Sequence, residues 1–160
     1  QWVVVGSSFN GFAHPDVEVC GVQLEVGQVV TVKRTFSQGD FNRFAVLSGD
    51  DNPIHVDPEF SSRTRFGRTV AHGMLLYSSI CMVLGTQFPG PGTVQLEQDL
   101  KFTTPTYADE EVAIRLEVIS LQPEERLAEL NTQVTRPDGS LGLEGRTLVR
   151  LPNEKPNTSG

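Results

Sequence analysis

A long apolar segment near the middle of the chain constrains the fold more than any other feature. Residues 71–84 are hydrophobic on nearly every side of a helical projection, with Ser78 and Ser79 as the polar exceptions. A helix that is apolar all round is stable only where other elements bury it. The sequence therefore predicts a long central helix around which the rest of the domain folds.

Strand patterns lie on both sides of this segment. A Val- and Thr-rich stretch at residues 29–36 precedes it, and a Gly-Pro-Gly turn at residues 90–92 follows it. Four further stretches have strand character, at residues 94–102, 111–120, 127–135 and 143–151. One strand, helices and then an antiparallel run of strands is an α+β pattern. We expect an antiparallel sheet of about five strands wrapped around the central helix, with a sheet edge covered by a second copy in a homodimer.

A second, shorter helix is predicted to end at a polar loop. Ser37 and Asp40 have the spacing of an N-terminal capping box, and Gly49 ends the helical pattern. The apolar residues expected on one face of this helix are Phe41, Phe44, Ala45 and Leu47. The loop at residues 50–57 therefore begins at the C-terminal end of a helix, and a further short helix is expected within residues 58–66.

Length and charge limit the class of protein. The 160 residues fit one domain, which we place at residues 21–152, with an N-terminal extension at residues 1–20 and a flexible tail at residues 153–160. A net charge of -7, from 13 basic and 20 acidic residues, argues against nucleic acid as a partner. The sequence contains no apolar run long enough to span a membrane, so we expect no membrane partner either.

Cysteine and histidine are scarce. The two cysteines, Cys20 and Cys81, are far apart in sequence and are expected to be reduced. The histidines are His14, His55 and His72, too few at short spacing for a zinc site, so no metal is expected. A cytoplasmic location is predicted. Because the first residue is glutamine, the mitochondrial matrix after removal of a targeting segment is the alternative.

The loop after Gly49 carries the clearest chemistry in the chain. Asp50 and His55 lie on one short stretch in which Gly49 and Pro53 favour a turn. At neutral pH a carboxylate can accept a proton, and an imidazole can accept or donate one. If the two side chains converge, they are able to activate water.

Three motifs together resemble the MaoC-like family of hot-dog-fold proteins, in particular the (R)-specific enoyl-CoA hydratases and hydroxyacyl-thioester dehydratases. Residues 49–55 read Gly-Asp-Asp-Asn-Pro-Ile-His, like the hydratase loop of that family. Residues 71–74 read Ala-His-Gly-Met, like the step that opens its central helix, and residues 89–92 read Pro-Gly-Pro-Gly, like the turn that follows. The combination is more specific than any one short motif.

The resemblance implies an activity and roles for three residues. It implies reversible hydration of a trans-2-enoyl-CoA to the (R)-3-hydroxyacyl-CoA by a homodimer of hot-dog subunits, without metal or cofactor. Asp50 and His55 would hold the water, and the backbone N–H of Gly73 would bind the thioester oxygen. Because the chain carries a single hydratase motif in one hot-dog unit, short to medium acyl chains are favoured.

Other residues are candidates for substrate contact. Asn52 is expected to brace the loop through its amide, and His72 is expected to hydrogen-bond at the helix entry or to line the site. Ser79 either contacts the substrate or bonds back to its own helix. Side chains for an apolar acyl tunnel are Phe66 and Leu76, with Ile80, Phe88 and Phe102 as further candidates.

Three alternative functions remain open on the sequence. A 3-hydroxyacyl-ACP dehydratase of fatty acid synthesis would use the same residues on acyl carrier protein, although the acidic chain disfavours an acidic partner. A hot-dog thioesterase usually lacks the Asp-x-Asn-Pro-x-His loop. A non-catalytic subunit that binds acyl thioesters would be expected to lack Asp50 or His55, and both are present.

Overall fold

The protein is described by a computed structural model that covers residues 17–19 and 22–152. The strands in these residues are β1 Val17–Val19, β2 Val22–Leu24, β3 Val29–Thr35, β4 Val94–Gln98, β5 Lys101–Phe102, β6 Glu111–Gln122, β7 Leu127–Thr135 and β8 Leu141–Arg150. The helices are α1 Gln38–Ser48, α2 Pro53–Val56, α3 Pro58–Ser62 and α4 Gly73–Thr86. None of the helices in this part of the chain has the length and hydropathy needed to cross a membrane.

Helix α4 is the predicted central helix. Its buried residues are Leu75, Leu76, Ser79, Ile80, Val83 and Leu84. The five apolar residues among them join the side chains of the sheet in a single hydrophobic core. Near the start of the helix, however, Met74 is half exposed. The apolar character of the segment is therefore explained by burial on one broad side, with one face left open near its N-terminal end.

The main sheet is antiparallel, with the order β3-β6-β7-β8, and both β4 and β5 pair with the far edge of β8. The predicted strand at residues 94–102 is split because Asp99 leaves the ladder. Its N–H donates to the carbonyl of Arg146 at 3.0 Å, and its carboxylate accepts from the Arg146 N–H. Gly145 permits this approach, because a side chain there would overlap Asp99. The sheet thus has six strands in five positions.

Alternation along the longest strand places its apolar residues on the core side. In β6 the four residues that face inward, Val112, Ile114, Leu116 and Val118, have no exposed surface. Their partners on β7 include Leu130 and Val134, which are equally buried. This period-two pattern is what a sheet with one face on a helix requires. The α+β hot-dog architecture predicted from the sequence is confirmed.

Helix α1 begins and ends as predicted, but one residue of its apolar face is wrong. The Ser37 hydroxyl accepts from the Asp40 N–H, the Asp40 carboxylate accepts from the Ser37 N–H, and Gly49 closes the helix with a positive φ of 78°. Leu47, expected to face the core, is 84% exposed. Two residues turn a helix by about 200°, so Leu47 cannot share the face of the buried Ala45.

The predicted domain boundaries fall largely on residues that the structure does not describe. Residues 1–16, 20, 21 and 153–160, and with them the tail, His14 and Cys20, lie outside the described residues. Strand β1, assigned to the extension, pairs with β2 of the domain in a small antiparallel hairpin. The boundary near residue 21 remains a prediction.

Candidate active site

The loop between α1 and α2 is shaped by local hydrogen bonds. Asn52 caps α2, since its side-chain oxygen accepts from the Ile54 N–H at 3.3 Å, and Pro53 occupies the first helical position. A longer contact of 3.4 Å joins the Asn52 N–H to the Asp50 carboxylate. The amide of Asn52 therefore braces the loop and places His55 one turn into α2.

Asp50 and His55 converge as the sequence predicts. Nε2 of His55 lies 4.0 Å from Oδ2 of Asp50. This distance is too long for a direct hydrogen bond. Two atoms at this separation share positions about 2.8 Å from each, where one water can bond to both. The pair is therefore spaced to hold a water molecule between a carboxylate and an imidazole.

A backbone carbonyl orients the His55 ring. Nδ1 of His55 lies 2.7 Å from the carbonyl oxygen of Val70, which can only accept, so Nδ1 carries the proton and donates. With Nδ1 as the donor to Val70, Nε2 is the ring nitrogen on the side of Asp50. The backbone of His55 is held as well, because the Gln38 side chain donates to its carbonyl at 2.9 Å.

His72 stacks on His55 and hydrogen-bonds to the backbone of Asp50. The two imidazole rings are stacked with centroids 3.9 Å apart, and Phe44 packs on His72 at 5.0 Å. Nε2 of His72 donates to the backbone carbonyl of Asp50 at 2.9 Å. Burial lowers the pKa of His72 below its ordinary value, and repulsion from His55 lowers it further, although the hydrogen bond to Asp50 opposes both. The ring is therefore neutral at neutral pH.

The N-terminal end of α4 presents free amide groups beside this pair. The N–H groups of Leu75 and Leu76 donate to the carbonyl of His72, whereas those of Gly73 and Met74 donate to no acceptor within the described residues. The first N–H groups of a helix lack intrahelical partners and carry partial positive charge. At Gly73 the ring of Phe102 lies so close that a Cβ would be within 2.5 Å to 2.9 Å of three ring atoms.

A cavity of about 360 Å³ connects these groups. Asp50, Gly73, Phe66 and Leu76 are among its walls, together with Arg65, Val70, Ala71, Met74, residues 102–106 and Gly142. Of the sequence candidates, these four and Phe102 line one space. His55 is not part of the cavity wall. Its Nε2 lies behind the wall residue Asp50, 4.0 Å from Oδ2.

Three candidates for substrate contact lie elsewhere. The Ser79 hydroxyl is buried and donates to the Leu76 carbonyl at 2.5 Å, so it bonds back to its own helix. Asn52 caps α2, and His72 lies beneath His55. The structure therefore brings neither Ser79, Asn52 nor His72 to the cavity wall. Of the further tunnel candidates, Phe102 lines the cavity, while Ile80 and Phe88 are core residues.

Sequence reasoning missed the groups that act through their backbone. The Val70 carbonyl that orients His55 leaves no trace in side-chain identity. The hydroxyl-rich run of Thr103, Thr104 and Thr106 also lines the cavity and was not among the sequence candidates. Its position between two strands was the available signal, because polar residues at strand ends often face a site.

The same histidines form a cluster that could hold a cation. Asp50, His55 and His72 each offer one ligand atom, and these atoms lie within 4.8 Å of one another. Each imidazole, however, uses one nitrogen as a donor to a backbone carbonyl. Coordination would have to use the remaining nitrogens, Nε2 of His55 and Nδ1 of His72. The absence of a metal requirement remains a prediction.

Comparisons with known proteins agree with this geometry. Residues 22–136 match the family described as MaoC like domain. The (R)-specific enoyl-CoA hydratase of Aeromonas caviae is 40% identical over 129 residues, which cover 81% of this chain and 96% of that protein. The mitochondrial 3-hydroxyacyl-[acyl-carrier-protein] dehydratase FERN of Solanum lycopersicum is 30% identical, with 84% of this chain and 83% of that protein covered.

A solved structure shares the fold. The unliganded R-hydratase from Pseudomonas aeruginosa superposes with a TM-score of 0.80 at 32% identity, covering 88% of this chain and 90% of that one. The family match spans most of the described chain and includes both the Asp50–His55 loop and the whole of α4. By sequence and by fold, the chain belongs to the MaoC-like family of hot-dog proteins.

Proposed function

We propose that this protein catalyses the reversible hydration of a short- to medium-chain trans-2-enoyl-CoA to the (R)-3-hydroxyacyl-CoA. The observation that carries the proposal is the convergence of Asp50, His55 and the free N–H of Gly73 at one end of α4. The 40% identity to an (R)-specific enoyl-CoA hydratase across most of both chains supports the same activity.

The chemistry follows from where charge develops. As the water oxygen bonds to the β carbon of the enoyl thioester, the π electrons shift and negative charge gathers on the thioester oxygen. The Gly73 N–H, at the positive end of a 14-residue helix, is placed to donate to that oxygen. The thioester itself stays intact throughout.

Hydration also requires two proton transfers. Water loses one proton as it attacks, and the α carbon must gain one. Asp50 and His55 flank the position that a water between them would occupy, so both proton transfers can take place on the same face of the substrate. General acid-base catalysis of this kind contributes about 10² to 10⁴-fold in rate.

The cavity supports a small acyl group. Leu76 and Phe102 provide apolar wall, and the volume of about 360 Å³ is at the lower end of those that hold small-molecule ligands. CoA is the proposed carrier. Acyl carrier protein is the alternative, supported by the tomato relative, and the net charge of -7 makes an acidic protein partner less favourable.

We further propose a homodimer in which a second copy covers the β4 edge. Val94 and Leu96 on β4, Phe102 on β5 and Met74 on α4 are exposed apolar side chains of 42% to 54% accessibility. An edge strand with exposed apolar groups is a natural site for association. Light scattering after gel filtration should give twice the mass of the chain. Val94→Lys with Leu96→Lys should give a monomer, and a monomeric wild type would refute the proposal.

The activity is tested by following the ultraviolet absorbance of crotonyl-CoA with the wild type and with Asp50→Asn. Loss of the conjugated enoyl signal, an (R) product and an inactive variant are expected. Release of free thiol would instead indicate a thioesterase. No reaction with either short or long enoyl chains would indicate an acyl-binding subunit.

The compartment is proposed as cytoplasm, with the mitochondrial matrix as the alternative.

A further inference from the structure

The segment 70–73 joins the catalytic groups together. His55 donates to the carbonyl of Val70 at 2.7 Å, and the N–H of Val70 donates to Ile54 at 3.0 Å. Two residues later, His72 donates to the carbonyl of Asp50, and Gly73 opens α4. A shift of this segment would displace the imidazole, the carboxylate loop and the helix start at once.

This segment is attached to the sheet through Thr106 and Tyr107. Val70 and Tyr107 form an isolated antiparallel bridge, and the Ala71 N–H donates to the Thr106 carbonyl at 2.8 Å. The Tyr107 hydroxyl adds a contact of 3.3 Å to the carbonyl of Phe66, four residues before Val70. Val70 is thus held against the sheet where Thr106 and Tyr107 pair with it and with Ala71.

Tyr107 is in turn held by charged side chains. Arg68 lies over its ring with Cζ 4.0 Å from the centroid, and Arg136 lies 5.5 Å from it. Glu110 binds both guanidinium groups, with Arg136 in a two-point contact at 3.0 Å and 3.1 Å and Arg68 at 3.0 Å. The same carboxylate accepts from the Tyr107 N–H at 3.2 Å. We call Arg68, Tyr107, Glu110 and Arg136 the Tyr107 clamp.

The centre of the clamp is shielded from water. The side chains of Glu110 and Arg136 are only 16% and 15% exposed. Burial by itself would raise the pKa of Glu110, but hydrogen bonds from Arg136 and the Tyr107 N–H, together with both guanidinium charges, lower it overall. Two-point contacts between arginine and carboxylate fix orientation as well as distance. The carboxylate is therefore ionised at neutral pH and holds the backbone of Tyr107 in place.

We propose that the Tyr107 clamp positions His55 for catalysis through the bridge from Tyr107 to Val70. None of the four clamp residues is part of the cavity wall. The bridge to Val70 is the contact that links them to the imidazole of His55. This inference rests on the proposed hydratase function for its kinetic consequence. Its structural consequence, the fixed Nδ1–H tautomer of His55, is independent of that function. The clamp residues are positioning residues and do not touch the substrate.

The test is the variant Glu110→Gln, which keeps the size of the side chain but removes its charge. Each carboxylate oxygen of Glu110 accepts from two donors, so the NH2 group of the glutamine must face two of them, whichever way the amide turns. We expect kcat with crotonyl-CoA to fall about tenfold with KM changed less than about twofold, because small misplacement of an acid-base group slows chemistry more than binding.

Nitrogen-15 chemical shifts of the imidazoles provide the readout that does not need activity. In the wild type, His55 should be protonated at Nδ1 and His72 at Nε2. In Glu110→Gln the His55 signals should move toward a mixture of tautomers. Arg68→Gln, at an exposed position, should change kcat and the histidine shifts in the same direction but by less. This variant replaces Glu110→Gln as the test if Glu110→Gln does not fold.

Glu111→Gln is the matched control. This neighbouring glutamate pairs with Lys33 at 2.7 Å on the surface, outside the clamp, so the same chemical change there should alter neither kcat nor the histidine shifts. The proposal is overturned if Glu110→Gln leaves the His55 tautomer and kcat unchanged. It is also overturned if the loss of rate equals the loss of folded protein. An inactive wild type with the expected tautomer shift would refute the hydratase but not the clamp.

Discussion

The imidazole of His72 donates from Nε2 to the backbone carbonyl of Asp50 at 2.9 Å, and its ring is stacked on that of His55. One buried side chain thus supports both members of the acid-base pair without lining the cavity. The sequence predicted a hydrogen bond at the helix entry for His72. Its partner is the loop that holds Asp50, and not the first turn of α4, where no side-chain cap is formed.

We expect His72→Gln to retain most of the activity and His72→Ala to lose roughly 10²-fold in kcat. The glutamine Nε2 can replace the histidine donor to Asp50, whereas alanine frees the loop and leaves a cavity under His55. Steady-state kinetics with crotonyl-CoA separates the two. If both variants lose activity equally, stacking on His55 matters more than the bond to Asp50.

The buried His72 also predicts a pH dependence of stability. Burial lowers its pKa in the folded protein below the ordinary value of 6.5. As the pH falls through 6.5, the unfolded chain takes up a proton that the folded protein does not. The contribution of neutral His72 to the free energy of unfolding is therefore fully present above pH 6.5. It is lost progressively as the pH falls toward the lower pKa of the folded state.

The measurement is urea unfolding of the wild type and of His72→Gln at about pH 7.5 and about pH 5.5. The wild type should lose more unfolding free energy on acidification than the variant. Glu110 and Asp138 also have lowered pKa values, but from ordinary values of 4.5 and 3.8, so their losses come at lower pH. Equal losses in the two proteins would show that His72 titrates normally when folded.

Gly73 is expected to be required because of Phe102. A Cβ at residue 73 would meet the Phe102 ring at 2.5 Å, so Gly73→Ala must push the ring into the cavity or out to solvent. We expect kcat/KM to fall at least about tenfold, through misplacement of the helix start and the cavity wall. Adding Phe102→Ala should recover part of this loss, which a double-variant analysis measures. No recovery would indicate that the methyl group itself obstructs the thioester.

Removal of divalent metal is expected to leave the rate unchanged. Asp50, His55 and His72 are close enough to bind an ion, but each imidazole has one nitrogen committed to a backbone carbonyl. Dialysis against a chelator followed by assay with crotonyl-CoA checks this. A loss of activity restored by zinc would show that the cluster binds metal as part of the mechanism.

Several features of the fold follow directly from local sequence. The capping box of Ser37 and Asp40 and the left-handed Gly49 define α1, and strict alternation defines β6. These signals lie within one element, where spacing alone decides which face a side chain occupies. Leu47 is apolar yet exposed, because its angle on α1 places it about 200° from the buried Ala45.

The loop composition determined which residues carry the chemistry, since Asp50 and His55 are close in sequence and a turn is enough to bring them together. Only the tertiary structure decided what holds them. Val70 and His72 lie 15 and 22 positions beyond His55 and Asp50, respectively, and hydrogen-bond to them. Tyr107, 57 positions beyond Asp50, pairs with Val70 and so acts on His55 indirectly. Long-range backbone contacts of this kind depend on strand pairing and helix packing across the whole domain, and a backbone carbonyl leaves no mark on the residue type that supplies it.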